Sequence, residues 1–137
     1  MIQRKQSIYL FLAGLIAMLF ASNLDKLVTV NFDFLSDPSK GNTIISLIFF
    51  FSAALSFGSI LMFKNRMFQL ALGWINIILN ILLIGSFIFN LLNLPGEGNS
   101  EKGIWIIVPL ISIVLLSIAN RLIKKDDNLV KSVDRFR

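Results

Sequence analysis

Four long uncharged runs, separated by short polar or charged segments, dominate the pattern of hydrophobic and polar positions along the chain. They cover residues 7–23, 43–63, 67–94 and 104–120. A helix rises about 1.5 Å per residue and a bilayer core is about 30 Å thick, so about 17 to 25 residues are needed to cross it. The pattern predicts an all-α membrane protein, a bundle of four transmembrane helices forming one domain over residues 1–137.

The first run has a second interpretation as a secretory signal peptide. A basic start at residues 1–6 precedes the apolar segment, and Ala21 lies near a plausible cleavage point. Leu19 stands where a small residue would be needed if Ala21 were the last residue removed. We therefore expect the first helix to be retained.

Two of the connections carry structural signals. Residues 28–34 alternate β-branched or aromatic side chains with polar ones, which predicts a short β element in the first periplasmic loop. The basic turn at residues 64–66 is so short that the second and third helices must be antiparallel neighbours.

The distribution of Lys and Arg predicts the orientation. Ten of the 13 basic residues lie in residues 1–6, 64–66 and 121–137, and the other three are Lys26, Lys40 and Lys102. Cytoplasmic segments carry the excess of Lys and Arg, so both termini are expected in the cytoplasm, an N-in/C-in arrangement.

The composition excludes several classes of chemistry. The chain is 55% hydrophobic and contains neither Cys nor His, which removes thiol redox reactions and thiolate or imidazole metal sites. The uncharged runs also supply no acid or base for catalysis. We expect no enzymatic activity, no metal and no cofactor. The net charge of +5 comes from bases that flank apolar runs, so no nucleic-acid partner is expected.

The third run carries polar residues on one helical face. They are Gln69, Gly73, Asn76 and Asn80, spaced i, i+4, i+7 and i+11. The first interpretation is helix packing, in which small residues allow close approach and amides hydrogen-bond to a neighbouring helix. The alternative is a polar path through a small oligomeric transporter or channel, with Asn76 and Asn80 on the path.

Small residues also recur every third or fourth position on two other runs. They are Ala13, Ala17 and Ala21 on the first run, and Ser52, Ser56 and Ser59 on the second. These stripes predict the seams at which helices approach closely. The three phenylalanines at residues 49–51 are expected to face lipid.

The C-terminal residues 121–137 form a predicted amphipathic cytoplasmic tail. Apolar residues fall at helical spacing among charged ones, and Asp127 and Lys131 form an i, i+4 pair. Such a tail either lies on anionic lipid or docks on a membrane-protein partner. The residues predicted to carry docking are Arg121, Lys125, Asp126, Leu129, Val133, Asp134, Arg135, Phe136 and Arg137.

Both termini carry distinctive residue strings. They are Met1-Ile2-Gln3-Arg4, Gln6-Ser7-Ile8-Tyr9-Leu10, Ala119-Asn120-Arg121, Lys125-Asp126, Leu129-Val130, Ser132 and Asp134-Arg135-Phe136-Arg137. With these strings the chain resembles an uncharacterised family of small four-helix inner-membrane proteins from Bacteroidota, described only as a domain of unknown function. The resemblance implies an integral protein of the Gram-negative cytoplasmic membrane and implies no activity.

The position of these strings favours a function based on a cytoplasmic surface. We expect a non-enzymatic accessory or scaffolding subunit of a larger inner-membrane assembly, with envelope biogenesis and protein export as the candidate processes. Its partners would be the lipid bilayer and membrane proteins that contact the tail and the helix faces.

Overall fold

The computed structural model describes residues 2–27, 38–93 and 105–135, and the regular structure in these ranges is entirely α-helical. The helices are α1 (Ile2–Leu27), α2 (Pro38–Leu61), α3 (Arg66–Asn93) and α4 (Ile107–Arg135). All four are long and apolar enough to cross a membrane, as predicted. The predicted β element at residues 28–34 lies outside the described residues.

The fourth helix differs most from its predicted extent. It continues without a break through residues 121–135, so the part of the predicted tail that the structure describes belongs to the same helix as the fourth apolar run. Beyond Pro109 the helix contains neither proline nor glycine, the residues at which sharp bends usually occur. Pro109 itself is in the first turn, where a missing N–H removes no interior hydrogen bond.

A tight turn connects α2 to α3, as the sequence predicts. The backbone N–H of Met62 donates to the Gly58 carbonyl, and that of Asn65 donates to the Met62 carbonyl. The Asn65 carbonyl then accepts from the backbone N–H of Gln69, in the first turn of α3. The turn therefore closes one helix and opens the next within a few residues.

The four helices form a ring in which α1 and α3 each pack against both α2 and α4. Two apolar clusters fill its centre. One contains Ala17, Phe20, Ala21, Leu24, Ile45, Phe49, Ala53, Leu83 and Phe87. The other contains Leu10, Ala13, Ile77, Leu116 and Ala119. The clusters come from different sets of helices, so α4 contributes buried residues only to the second.

The predicted alanine and serine stripes are buried, and each of the six side chains is at most 5% exposed. The prediction for residues 49–51 is wrong in one position: Phe50 and Phe51 are exposed, but Phe49 is fully buried and its ring contacts Phe20. Successive helical residues point about 100° apart, so three adjacent phenylalanines cannot share one environment. Phe49 is on the face that carries the serine stripe.

Candidate functional site at the helix seams

The α2–α3 seam contains a cluster of four buried polar residues, Ser52, Ser56, Asn76 and Asn80, here called the amide–serine cluster. The Asn76 amide nitrogen donates to the Ser52 carbonyl at 3.0 Å and to Ser56 Oγ at 2.7 Å. Ser52 Oγ donates to Asn76 Oδ1. The whole Asn76 side chain is therefore hydrogen-bonded to α2.

Asn80 extends the same cluster by one helical turn. Its amide nitrogen donates to Ser52 Oγ at 3.1 Å and to the Asn76 carbonyl at 2.9 Å. Asn80 Oδ1 is buried and has no hydrogen-bond partner. In a lipid environment, hydrogen bonds of this kind hold helices together where the hydrophobic effect between them is absent. This arrangement is the one expected from the packing interpretation.

The α3–α4 seam is built differently. A Cβ atom added at Gly73 would overlap Asn120 Oδ1, so the absence of a side chain at Gly73 makes room for the Asn120 amide. Asn120 is 5% exposed, and both its Oδ1 and its Nδ2 lack hydrogen-bond partners. An unpaired buried amide of this kind lowers the stability of the fold, because its polar atoms lose their hydrogen bonds to water and gain none in the protein.

The predicted polar stripe on α3 is therefore shared between two neighbours. Gln69, Gly73, Asn76 and Asn80 are all buried. Asn76 and Asn80 contact α2, whereas Gly73 contacts α4. Because α3 packs against both helices, a stripe that is only tens of degrees wide is divided between them.

A groove of about 750 Å³ opens on the α3–α4 side of the bundle. Its α3 wall consists of Met67, Leu70, Ala71, Trp74 and Ile77. Its α4 wall consists of Ser117, Asn120, Arg121, Lys124, Asp127, Asn128 and Lys131. One wall of this α3–α4 groove is thus apolar and the other is polar, with three cations and one carboxylate.

An ion pair at the start of α3 sets the register of the two helices. Arg66 Nη2 lies 3.3 Å from Asp126 Oδ2, and Arg66 Nη1 donates to the Asp126 carbonyl at 3.0 Å. With Gly73 against Asn120, this contact defines an antiparallel register. Residues 127–135, the α4 extension, then project about 14 Å past the Arg66 level at 1.5 Å per residue.

The residues predicted to dock a partner fall into three groups. Arg121, Lys125, Leu129, Val133 and Arg135 are exposed. Asp126 is instead half-buried and paired with Arg66. The side chain of Asp134, together with Phe136 and Arg137, lies outside the described residues. The predicted pair is present, with Lys131 Nζ donating to Asp127 Oδ2 at 2.6 Å.

Sequence reasoning missed the roles of Asn120 and Arg66. Asn120 ends an uncharged run and Arg66 begins a helix, so each has an obvious local explanation. The packing of α4 on α3 pairs Arg66 with Asp126 and places Asn120 against Gly73. Among the described residues, no three carboxylate, His or Cys side chains come together as metal ligands.

The model of a family described as Domain of unknown function (DUF4293) matches residues 2–136. Neither a curated protein nor a solved structure matches the chain.

Proposed function

The chain belongs to the family described as Domain of unknown function (DUF4293), and for this member we propose the role of a non-enzymatic accessory or scaffolding subunit. The assembly that it serves would lie in the inner membrane of a Gram-negative bacterium of the Bacteroidota. Its specific contact would be made by the α4 extension on the cytoplasmic side.

The observation that carries this proposal is an apolar ridge on the α4 extension, formed by Leu129, Val130 and Val133. Leu129 is 47% exposed and Val133 is 63% exposed. Both lie beyond the level at which Arg66 begins α3, and so beyond the uncharged part of the bundle. Clustered apolar side chains outside the bilayer core are characteristic of an interaction surface.

The two sides of the α4 extension have opposite character. Leu129 and Val133 each stand two positions from Lys131, which places them roughly 160° from it around the helix axis. Lys131 lines the α3–α4 groove, so the apolar ridge points away from that groove. A partner on the ridge would leave the groove open.

The continuity of α4 favours a protein partner over the lipid surface. A helix that lies on a membrane needs a bend where it leaves the span, and α4 is unbroken from Ile107 to Arg135. The Arg66–Asp126 ion pair also ties the base of the extension to α3. The extension is therefore suited to project toward a partner.

Co-purification of the full chain in a native detergent tests this role. We expect a stoichiometric companion protein, identified by mass spectrometry. The amount of companion that co-purifies should fall at least tenfold when Leu129→Ser and Val133→Ser are combined. Lys131→Gln is the matched control on the opposite side of the helix and should retain the companion.

Two results would overturn the proposal. A companion retained equally by the ridge variant would show that the ridge does not dock it. A homo-oligomer without any companion would favour the transporter or channel alternative, and loss of a solute flux in Asn76→Leu and Asn80→Leu variants that still assemble would support that alternative.

The orientation is part of the same proposal and rests on the excess of Lys and Arg at residues 1–6, 64–66 and 121–137. Reporters fused after Arg137 and within residues 93–103 should report the cytoplasm and the periplasm, respectively. A periplasmic signal from the C-terminal fusion would place the α4 extension on the wrong side for a cytoplasmic partner.

A further inference from the structure

We propose that the α3–α4 groove is a binding site for one anionic phospholipid. The phosphate would lie against Arg121 and Lys124, the glycerol ester region near Asn120, and an acyl chain along Trp74. This site is separate from the apolar ridge, and the inference stands whether or not the ridge docks a protein.

The register of α3 and α4 creates the site. Gly73 lies against Asn120 and Arg66 pairs with Asp126, so Arg121 and Lys124 fall between these two levels. On α3, the same levels belong to the uncharged run that starts at Met67. Cations on one wall are thereby placed opposite apolar side chains on the other, in a groove of about 750 Å³.

The charges of the groove favour an anion. Lys131 and Asp127 neutralise each other as an ion pair. In the part of the chain that the structure describes, Arg121 and Lys124 have no ion-pair partner, and both are exposed. A guanidinium can bind a phosphate through two parallel hydrogen bonds, and basic pockets between transmembrane helices bind anionic head groups.

Asn120 gives the second, independent indication of a ligand. Its side chain is 5% exposed, lines the groove and has no partner for either polar atom. Both amide atoms are covered in the space that Gly73 leaves, so an ester carbonyl would accept from Nδ2 only after the Asn120 side chain turns toward the groove. Asn120 lies four residues, or about 6 Å along the helix, deeper than Lys124.

The order of groups along the groove selects a lipid over a free anion. From the end of the bundle inward come Lys124 and Arg121, then Asn120, with Trp74 and Ile77 of the apolar wall alongside. Phosphate, ester and acyl chain follow in the same order along a phospholipid in the bilayer. Trp74 is 59% exposed, so its ring is available to an acyl chain.

Tryptophan quenching by lipids with brominated acyl chains tests the site. The chain has two tryptophans, so a Trp105→Phe background leaves Trp74 as the only one. The full chain in nanodiscs of phosphatidylcholine would receive brominated phosphatidylglycerol or brominated phosphatidylcholine at equal mole fractions. We expect brominated phosphatidylglycerol to reach half-maximal quenching of Trp74 at a mole fraction at least threefold lower than brominated phosphatidylcholine.

Variants separate the groove from general surface charge. Combining Arg121→Gln with Lys124→Gln should abolish the preference, and Asn120→Ala should reduce it. Combining Lys125→Gln with Arg135→Gln changes the charge by the same amount outside the groove and should preserve the preference. Circular dichroism of each variant checks that it is folded.

Three outcomes would overturn the proposal. Equal quenching by the two lipids would show no headgroup preference. An equal loss in the Lys125 and Arg135 control would show attraction to general surface charge. Reversal by inorganic phosphate, beyond the effect of sodium chloride at the same ionic strength, would identify a free-anion site rather than a lipid site.

Discussion

The two seams of α3 place the same side chain, a buried asparagine amide, in opposite situations. On the α2 side, Asn76 donates to Ser52 and Ser56 and accepts from Ser52. On the α4 side, Asn120 is buried against Gly73 with both polar atoms unpaired. The Asn76 amide holds α3 against α2, whereas the Asn120 amide has a donor and an acceptor without partners among the described residues.

The difference follows from what each amide faces. The serines of α2 offer hydroxyls and, at Ser52, a carbonyl within hydrogen-bond distance of Asn76. The residue opposite Asn120 is a glycine, which offers space but no side-chain partner. Burial of an amide therefore does not by itself distinguish a helix-packing role from a ligand-binding role. The residues that face the amide distinguish the two.

The largest expected effect separates the two amides directly. Asn76→Ala removes hydrogen bonds to two serines, and at roughly 0.6 to 1.7 kcal/mol for each interhelix bond it should lower the free energy of unfolding by about 2 kcal/mol. Asn120→Ala breaks no hydrogen bond and should cost less than about 1 kcal/mol. Reversible unfolding in mixed micelles measures both changes in the free energy of unfolding. Equal losses would show that the two amides contribute alike to stability.

A second prediction concerns the space at Gly73. Gly73→Ala places a methyl group onto the Asn120 amide, and overpacking of this kind should cost about 1 to 2 kcal/mol. The matched control is Gly85→Ala on the same helix, where an added Cβ meets nothing within 4 Å and stability should not fall.

The same clash predicts rescue. Combining Gly73→Ala with Asn120→Ala removes the amide that the methyl group strikes, so the double variant should regain most of the loss. The same micelle unfolding assay applies, and additive losses in the double variant would mean that Gly73 and Asn120 are not in contact.

The smallest effect concerns the ion pair at the base of the α4 extension. Arg66 and Asp126 are partly buried, at 22% and 16% side-chain exposure, and Arg66→Gln should lower stability by about 1 kcal/mol and speed amide exchange in residues 127–135. Lys131→Gln, which breaks a pair with a 64% exposed lysine, should change stability by only about 0.3 kcal/mol.

Hydrogen exchange read by mass spectrometry locates the effect of these two changes. Faster exchange confined to the α4 extension in Arg66→Gln is the expected pattern. Uniform acceleration across α1 to α4 would mean that the ion pair supports the whole bundle and not the extension.

Single residues show where sequence reasoning stopped. The spacing of Ser52 and Ser56, and of Asn76 and Asn80, identified polar and small faces because helical periodicity is a local property. Adjacent phenylalanines look alike in sequence, so local spacing does not show that only Phe49 of the three faces the bundle centre. The burial of Asn120 depends on Gly73, almost fifty residues away in the chain, so local spacing does not reveal it.

Length, hydropathy and turn geometry act over a few residues, so local patterns are enough to predict the four apolar helices, the tight α2–α3 turn and the helical character of residues 121–135. The packing of the helices divides the polar stripe of α3 between two neighbours and places the cations of α4 opposite an apolar wall. Those features depend on the register of α3 against α4, which Gly73 and Arg66 set through contacts between distant parts of the chain.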